Sequence, residues 1–320
     1  MNDWDFPETR AQNPCLPEFL LETWQGFVFI NLDTDAAPLS EFLGPLEPEF
    51  DRYAMESRYR AAGIRMVLPC NWKVAAASFP ETYHVPWTHP QIGSWVSDVD
   101  STLIPLGLHG KCVNARRPSP NNAFEVDDET YLAEQLGFLN REAMDTAMEG
   151  LENGFGAREI LAQVQRQRFL DKGFDFADCP NDEFVDGKGY WIFPNAIAYV
   201  GLGTAGHVLR FLPNGRDPNT CVAELWLMTF PDDANAPMAN VPMSSYPLGT
   251  SVTEAFEDSH GFHPLGPVLD QDLSNLESIQ RGLQSAHYPG VSFGLYQESL
   301  IRNFEEALDG YLERFDKPSR

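Results

Sequence analysis

The segment FPETYHVPWTHP, residues 79–90, sets Glu81 three residues before His84, and His89 five residues after it. Two imidazoles close in sequence, joined by one carboxylate from elsewhere in a chain, make the donor set of a facial triad. Such a triad holds Fe(II) on one face and leaves the opposite positions open for oxygen and substrate. One carboxylate trims the net charge, so that the metal can still be oxidised. The chain has seven histidines, and two of them can also fall this close by chance. A satisfied structural pair therefore competes with a metal site, and spacing alone leaves both readings open. Glu81 is placed to fix the tautomer of His84 from behind.

Two other motifs fail on their surroundings. GLGTAG (201–206) has the G-x-G-x-x-G pattern, with AIAYV before it and Glu224 after it. A dinucleotide loop needs a helix directly after the glycines, whose N-terminus holds the pyrophosphate. HVLRFLPNGRDP follows instead, alternating and then broken by Pro213, Gly215 and Pro218. GVSFG (290–294) has the G-x-S-x-G pattern of a hydrolase elbow, a fold whose histidine comes after the serine. Here the last histidine, His287, precedes Ser292.

The elements that must position these residues belong to an ordinary globular chain. Its 320 residues suit one large domain or two moderate ones, with 43% apolar and 12% aromatic residues. A net charge of −25 argues against nucleic acid and anionic membranes as partners. No apolar stretch approaches the ~18 residues of a membrane span. MNDWDFPETR has neither the basic nor the apolar part of a signal peptide. Cys15, Cys70, Cys112, Cys179 and Cys221 are scattered and odd in number, which fits reduced thiols in a cytoplasm.

LETWQGFVFINLD (21–33) reads as a strand, and residues 38–53 as a short helix closing that unit. RYRAAGIRMVL is strand-like up to Pro69, and NWKVAAASF (71–79) is a helix leading into the two histidines. Residues 91–125 read as loops and short strands. Residues 128–172 turn helical, with Leu132, Leu136, Leu139, Ala143 and Met144 on one face. GYWIFPNAIAYVGLG, GHVLRFLPNG and NTCVAELWLMTFP then alternate as antiparallel strands, with Asn214-Gly215 at a turn. Two helices close the chain, near 272–286 and 297–315. In the second, Ile301, Phe304, Leu308 and Leu312 recur at helical spacing and should face the core.

NWKVAAASFPETYHVPWTHP resembles the mononuclear-iron motif of the Rieske non-haem iron oxygenases, the ring-hydroxylating oxygenase α subunits. LPEFLLETWQGFVFINLDTDAAPLSEFLGPL is similar to the closing strands of that family's Rieske domain. WIFPNAIAYVGL and DPNTCVAELWLMTFP are similar to its catalytic sheet, and LDQDLSNLESIQRGLQS and GVSFGLYQESLIRNF to its C-terminal helices. The resemblance implies an α+β fold: a helix-grip catalytic domain with an antiparallel sheet (56–320), preceded by a remnant of a Rieske-like β domain (1–55). It also implies His84 and His89 as ligands of a mononuclear Fe(II). The third ligand would be an acidic residue at the start of the helix ending in IQRGL. Asp272 is the choice, Asp270 the runner-up, and Glu277 lies too far inside. Asp272 could also be a plain helix N-cap. Glu81 matches the family's acidic bridge, which carries electrons towards the iron from a cluster on a neighbouring subunit.

Two departures accompany the resemblance. Ala77 and Ser78 stand where the family has Glu-Asn, and Pro80 interrupts a segment that is normally smooth helix. The larger one concerns the family's [2Fe–2S] cluster, held by Cys-x-His and Cys-x-x-His; neither pattern occurs in these 320 residues. His109 and Cys112 come closest, three residues apart. The expectation is an oxygenase α subunit acting with O2 and a reductase or ferredoxin on an aromatic or other apolar small molecule. That substrate would sit near Phe79, Val85 and Trp87, in a homo-oligomer that the resemblance makes a trimer. Alone, without cluster ligands, the chain would lack an electron route. A non-catalytic helix-grip module binding an apolar ligand is the rival from another class, and a zinc hydrolase using the same histidines is a second.

Overall fold

In the computed structural model the described residues are 18–96, 101–118, 125–139, 143–203, 206–261, 263–285, 287 and 290–315. Cys15 and the N-terminal stretch MNDWDFPETR lie outside them. The segment read as one strand near the N-terminus is a hairpin, β1 (Leu20–Trp24) and β2 (Phe27–Asn31). Gln25 and Gly26 between them both have positive φ, the backbone of a two-residue type I′ turn. Trp24 packs between Phe29 and Phe50, while Leu21, Val28 and Ile30 face out. The next stretch is a short helix, α1 (Leu39–Leu43), continued by a 3-10 helix (Gly44–Tyr53). Pro45 and Pro48 withhold the N–H groups that a continuous α-helix would use.

The main body is an eight-stranded sheet. Its strands are β3 (Tyr59–Leu68), β4 (Ser101–Leu106), β5 (His109–Asn114), β6 (Gly187–Ile192), β7 (Ala196–Tyr199), β8 (Gly206–Asn214), β9 (Asp217–Thr229) and β10 (Ser244–Tyr246). Across the sheet the order is β10-β3-β9-β8-β7-β6-β5-β4, antiparallel throughout except for the parallel β10–β3 pair at one edge. Gly215 at the β8–β9 turn has φ +61, as the Asn-Gly pair predicts. GLGTAG leads into β8 with no helix after it, and GVSFG is irregular backbone, so neither decoy has the structure its chemistry needs.

Helices pack on the sheet as α2 (Trp72–Ala77), α3 (Val85–Thr88), α4 (Asp128–Leu139), α5 (Met144–Glu152), α6 (Ala157–Asp171), α7 (Asp182–Val185), α8 (Val252–Ser259), α9 (Leu265–Leu283) and α10 (Ser299–Phe315). The helical stretch expected at 128–172 is three helices, with Leu132 and Leu136 fully buried between them. One face of the sheet and α2, α8, α9 and α10 share a core built on Ile64, Phe211, Leu276 and Phe304. The other face carries the hairpin and 3-10 helix through Phe50, Tyr53 and Tyr190. Of the α10 stripe, Ile301 and Phe304 are buried but Leu312 is exposed: the helix outruns the sheet. This is an α+β helix-grip fold. No helix among the described residues is long and apolar enough to cross a membrane.

Candidate metal centre

The Asn-Trp-Lys opening fixes the helix ahead of the histidines. Asn71 caps α2, its Oδ1 accepting from the Lys73 N–H at 3.0 Å. The Asn71 N–H donates to Gln280 Oε1 on α9 at 2.9 Å, so α2 is tied to the helix that carries Asp272. The helix ends at Ala77, ahead of Pro80, and the chain turns through Glu81 into the single turn of α3. His84 stands just before that turn and His89 just after it, and the His89 N–H donates to Val85 O at 2.8 Å. Pro86 in the first turn costs nothing there, because its missing N–H would have no helical partner.

Asp272 is in the interior of α9, since that helix already begins at Leu265. The expectation of an acidic residue at the helix start is corrected, and the N-cap reading falls with it. Gly266 and Pro267 hide the first turn from a pattern reading. Glycine is needed there because a Cβ would come within 3.0 Å of Thr253 on α8. Asp272 shares the buried stripe of α9 with Leu276 and Gln280. Asp270 is turned away and caps α8, accepting from the Val252 N–H at 2.5 Å and the Thr253 hydroxyl at 2.6 Å. Glu277 is exposed.

His84, His89 and Asp272 each offer one donor atom, and these atoms lie within 4.8 Å of one another. Among the described residues no other group of three His, Cys, Asp or Glu side chains converges in this way. The Nε2 of His89 is 2.8 Å and that of His84 3.5 Å from Asp272 Oδ1. Both outer nitrogens are occupied. His84 Nδ1 lies 2.5 Å from Glu81 Oε1, and His89 Nδ1 lies 2.8 Å from Gln271 Oε1. Carboxylate and amide oxygens only accept, so each Nδ1 carries the proton. Each neutral ring then turns an Nε2 lone pair towards the same carboxylate. Lone pairs facing an anion need a cation or extra protons between them, and this donor set fits a divalent metal.

Without a metal, protons take that role. Burial pulls the His84 pKa down, but its bonds to Asp272 and Glu81 outweigh this and hold it at about 9. Burial pushes Asp272 up, and its bonds to the two histidines outweigh that and leave it below the usual carboxylate range.

The site opens on a cavity of ≈ 330 Å³ whose walls include Phe79, Val85, Val96, Leu209 and Leu225. Its floor is a row across the sheet: Cys112 opposite Gly189, Gly189 opposite Tyr199, and Tyr199 opposite His207. Gly189 makes room for the Tyr199 ring, whose hydroxyl donates to Phe79 O at 3.0 Å and holds the loop just ahead of Glu81. Phe79 and Val85 line the cavity, but Trp87 is 86% exposed and not among its walls, which corrects the expectation for that residue. α3 turns Val85 inward and Trp87, two residues on, outward. His109 uses both ring nitrogens, Nε2 on Phe42 O and Nδ1 on the Phe193 N–H. Burial, with the Glu81 charge, pushes the Cys112 thiol up to about 12. Gln271, Tyr199 and Arg116 belong to the site and carry no local motif.

The family described as "Ring hydroxylating alpha subunit (catalytic domain)" matches residues 50–314. The chain belongs to that family. Over 292 residues this ring-hydroxylating α-subunit chain is 23% identical to a glycine betaine monooxygenase oxygenase subunit of Chromohalobacter salexigens, covering 91% of this chain and 58% of the relative. It is 37% identical over 174 residues to biphenyl 2,3-dioxygenase subunit alpha of Rhodococcus jostii, covering 49% of this chain and 37% of that one. In fold it is similar to a quaternary ammonium Rieske monooxygenase, with TM-score 0.58 and 16% identity over 97% of this chain and 66% of the other. It is also similar to naphthalene 1,2-dioxygenase with bound indole, at TM-score 0.52 and 16% identity over 92% of this chain and 64% of that one. The chain spans between 40% and 58% of the length of the glycine betaine relatives it matches.

Proposed function

We propose that this chain is the iron-bearing part of an oxygenase α subunit that oxidises an aromatic or other apolar small molecule in the cytoplasm. The reading rests above all on one observation: His84 Nε2, His89 Nε2 and Asp272 Oδ1 converge at the wall of an apolar cavity, with both outer imidazole nitrogens already bonded. These three residues would hold one Fe(II) and leave its cavity side open. When bound, the metal would supply O2 activation, with electrons from a reductase or ferredoxin.

The chain's own residues do the rest. Glu81 and Gln271 hold each imidazole in the Nδ1–H tautomer, which keeps the Nε2 lone pairs aimed inward. Phe79, Val85 and Leu225 exclude water and receive an apolar body. The relatives' names divide between quaternary ammonium compounds and aromatic hydrocarbons. The apolar lining favours the aromatic class, because the cavity's indole among the described residues, Trp95, already has a cation on its ring. Residues 1–55 would be the end of a Rieske-like β domain and residues 56–320 the catalytic domain, in a trimer by family analogy. Glu81, beside His84, also suits the family's role of passing electrons from a neighbouring subunit's [2Fe–2S] cluster. The sequence has no Cys-x-His or Cys-x-x-His, so this chain would need electrons from elsewhere to turn over.

The test is iron stoichiometry after anaerobic reconstitution. The wild-type chain should hold about one Fe(II), a His84→Ala, His89→Ala double variant none, and acid-labile sulfide should be absent from both. A double variant that keeps full iron overturns the site. Two sulfides per chain would overturn the electron-supply argument. A wild-type chain without iron that still binds apolar ligands would favour the non-catalytic module.

A further inference from the structure

One cation of the cavity forms no ion pair among the described residues. Arg116 follows β5 and lines the same cavity as His84 and Asp272. Its guanidinium lies 4.9 Å from the centre of the Trp95 ring. Bare backbone also packs on it: a Cβ on Gly187 would meet Arg116 Nε at 3.2 Å and Nη2 at 3.4 Å. The group thus packs against an indole and a glycine, and no hydrogen bond of its side chain to a described residue is formed. Arg116 Nε has no partner, and no carboxylate among the described residues forms an ion pair with the side chain. Asp186 is close enough for its charge to be felt, but its Oδ1 accepts from the Arg116 backbone N–H at 3.1 Å and from Arg158 Nη1 at 2.8 Å, and it forms no ion pair with the Arg116 side chain. The two carboxylates that line the cavity, Glu81 and Asp272, are both bonded to histidines.

A second polar group faces the same space. His207 is nine-tenths buried, its Nε2 has no partner, and it too lines the cavity. An imidazole kept neutral by burial can donate one hydrogen bond and accept another. Arg116 is half-buried with its Nε shut off from solvent, and taking a guanidinium from water without an anion is costly, a cost that a carboxylate ligand would offset. A planar guanidinium fork in the cavity wall suits a planar, two-oxygen partner.

We propose that the cavity takes a carboxylic acid with an aromatic or otherwise apolar body, its carboxylate paired with Arg116 and its other end reaching towards His84, His89 and Asp272. His207 adds a hydrogen bond to the same ligand. The proposal rests on the oxygenase reading for the end at which chemistry occurs, but not for binding itself. A cationic substrate is disfavoured, since it would meet Arg116 across the cavity and find the Trp95 ring occupied.

The test uses the full chain with no metal added, and titrates benzoate, 2-naphthoate and cinnamate, each against its primary amide, with phenyltrimethylammonium as the cationic probe. At least one acid should bind, at least tenfold tighter than its amide, and the ammonium probe should bind more weakly than either. Arg116→Gln should bring that acid down to the affinity of its amide. Arg116→Lys, which keeps the charge and the packed stem, should retain part of the preference and show that the fold is intact. Gly187→Ala should displace the fork and weaken the acid more than the amide. Amides that bind as tightly as acids, a full preference surviving in Arg116→Gln, or no binding by any acid of the panel overturns the proposal. Iron content measured on the same preparations separates the two readings. Acid selectivity without iron binding would remove the metal reading alone, and stoichiometric iron without acid selectivity would remove this one alone.

Discussion

Replacing Gln271 by Leu tests whether the amide behind His89 sets the affinity of the metal centre. Leu is close to Gln in volume and α9 tolerates it, so the helix should stand. What disappears is the acceptor 2.8 Å from His89 Nδ1, on a ring that is 2% exposed. Water reaches such a ring poorly, so the Nδ1–H is left unpaired at a cost of about 1–3 kcal/mol. The ring can escape by exchanging tautomer, putting its proton on Nε2, where Asp272 Oδ1 at 2.8 Å accepts it. That escape is open only to the metal-free protein, because Nε2 must be bare to coordinate. The variant therefore stabilises the empty state relative to the loaded one. Removing such a supporting bond typically weakens a metal by 10–100-fold, or about 1.4–2.8 kcal/mol. Competitive Fe(II) titration against a chelator of known affinity, done anaerobically, reads this directly. Gln271→Glu is the opposing arm: a carboxylate accepts more strongly and should match or exceed the wild-type affinity. Unchanged affinity in Gln271→Leu, with unfolding free energy also unchanged, would refute the idea that this amide holds the tautomer.

Three other outcomes follow from the same geometry. Glu81→Gln should keep stoichiometric iron, because the amide oxygen still accepts from His84 Nδ1, while slowing turnover in any version given a cluster domain; loss of iron with the fold intact would make Glu81 a ligand. Gly189→Ala brings a Cβ to 2.9 Å from the Tyr199 ring. It should cost about 1–3 kcal/mol in denaturant unfolding, and a change below about 0.5 kcal/mol would show that the ring is not confined. Burial, with the His263 and Arg charges around it, lowers the His207 pKa to about 3, against ~6.5 when unfolded. The unfolded chain then takes up a proton that the folded one refuses, so this contribution is complete above pH 6.5 and lost as pH falls towards 3. At pH 4.5 the loss should reach about 2.7 kcal/mol, two pH units at ~1.36 each, and His207→Gln should remove that part of the pH slope.

What was legible in the sequence was local. His84 and His89 share one turn of helix, so their spacing already fixes their relation, and Asn71 caps the helix before them as its residue type suggests. The Asn-Gly turn of β8–β9 was readable for the same reason: one glycine with positive φ decides it. Asp272 was reached through the family resemblance, while its depth in α9 was hidden by Gly266 and Pro267, which look like a loop. Gln271, Arg116 and His207 were invisible in principle. Gln271 matters only because it meets His89 from 182 positions away, and Arg116 because Trp95 and Gly187 pack against it. The N-terminal hairpin passed for one strand because Gln25 gives no turn signal, although it takes the left-handed conformation there.

The outward face of that hairpin has a consequence for the protein as a colloid. Leu21, Val28 and Ile30 are each more than 60% exposed, with Leu32 beyond them, on a two-stranded ribbon whose edges are free among the described residues. Such a ribbon tends to stack with copies of itself. The net charge of −25 works against this, since two copies repel before their apolar faces meet. The repulsion reaches only about a Debye length, roughly 10 Å at 0.1 M salt and 3 Å at 1 M. Salt removes the repulsion and leaves the stickiness, so the molecule should stay dispersed in dilute buffer and cluster in concentrated salt.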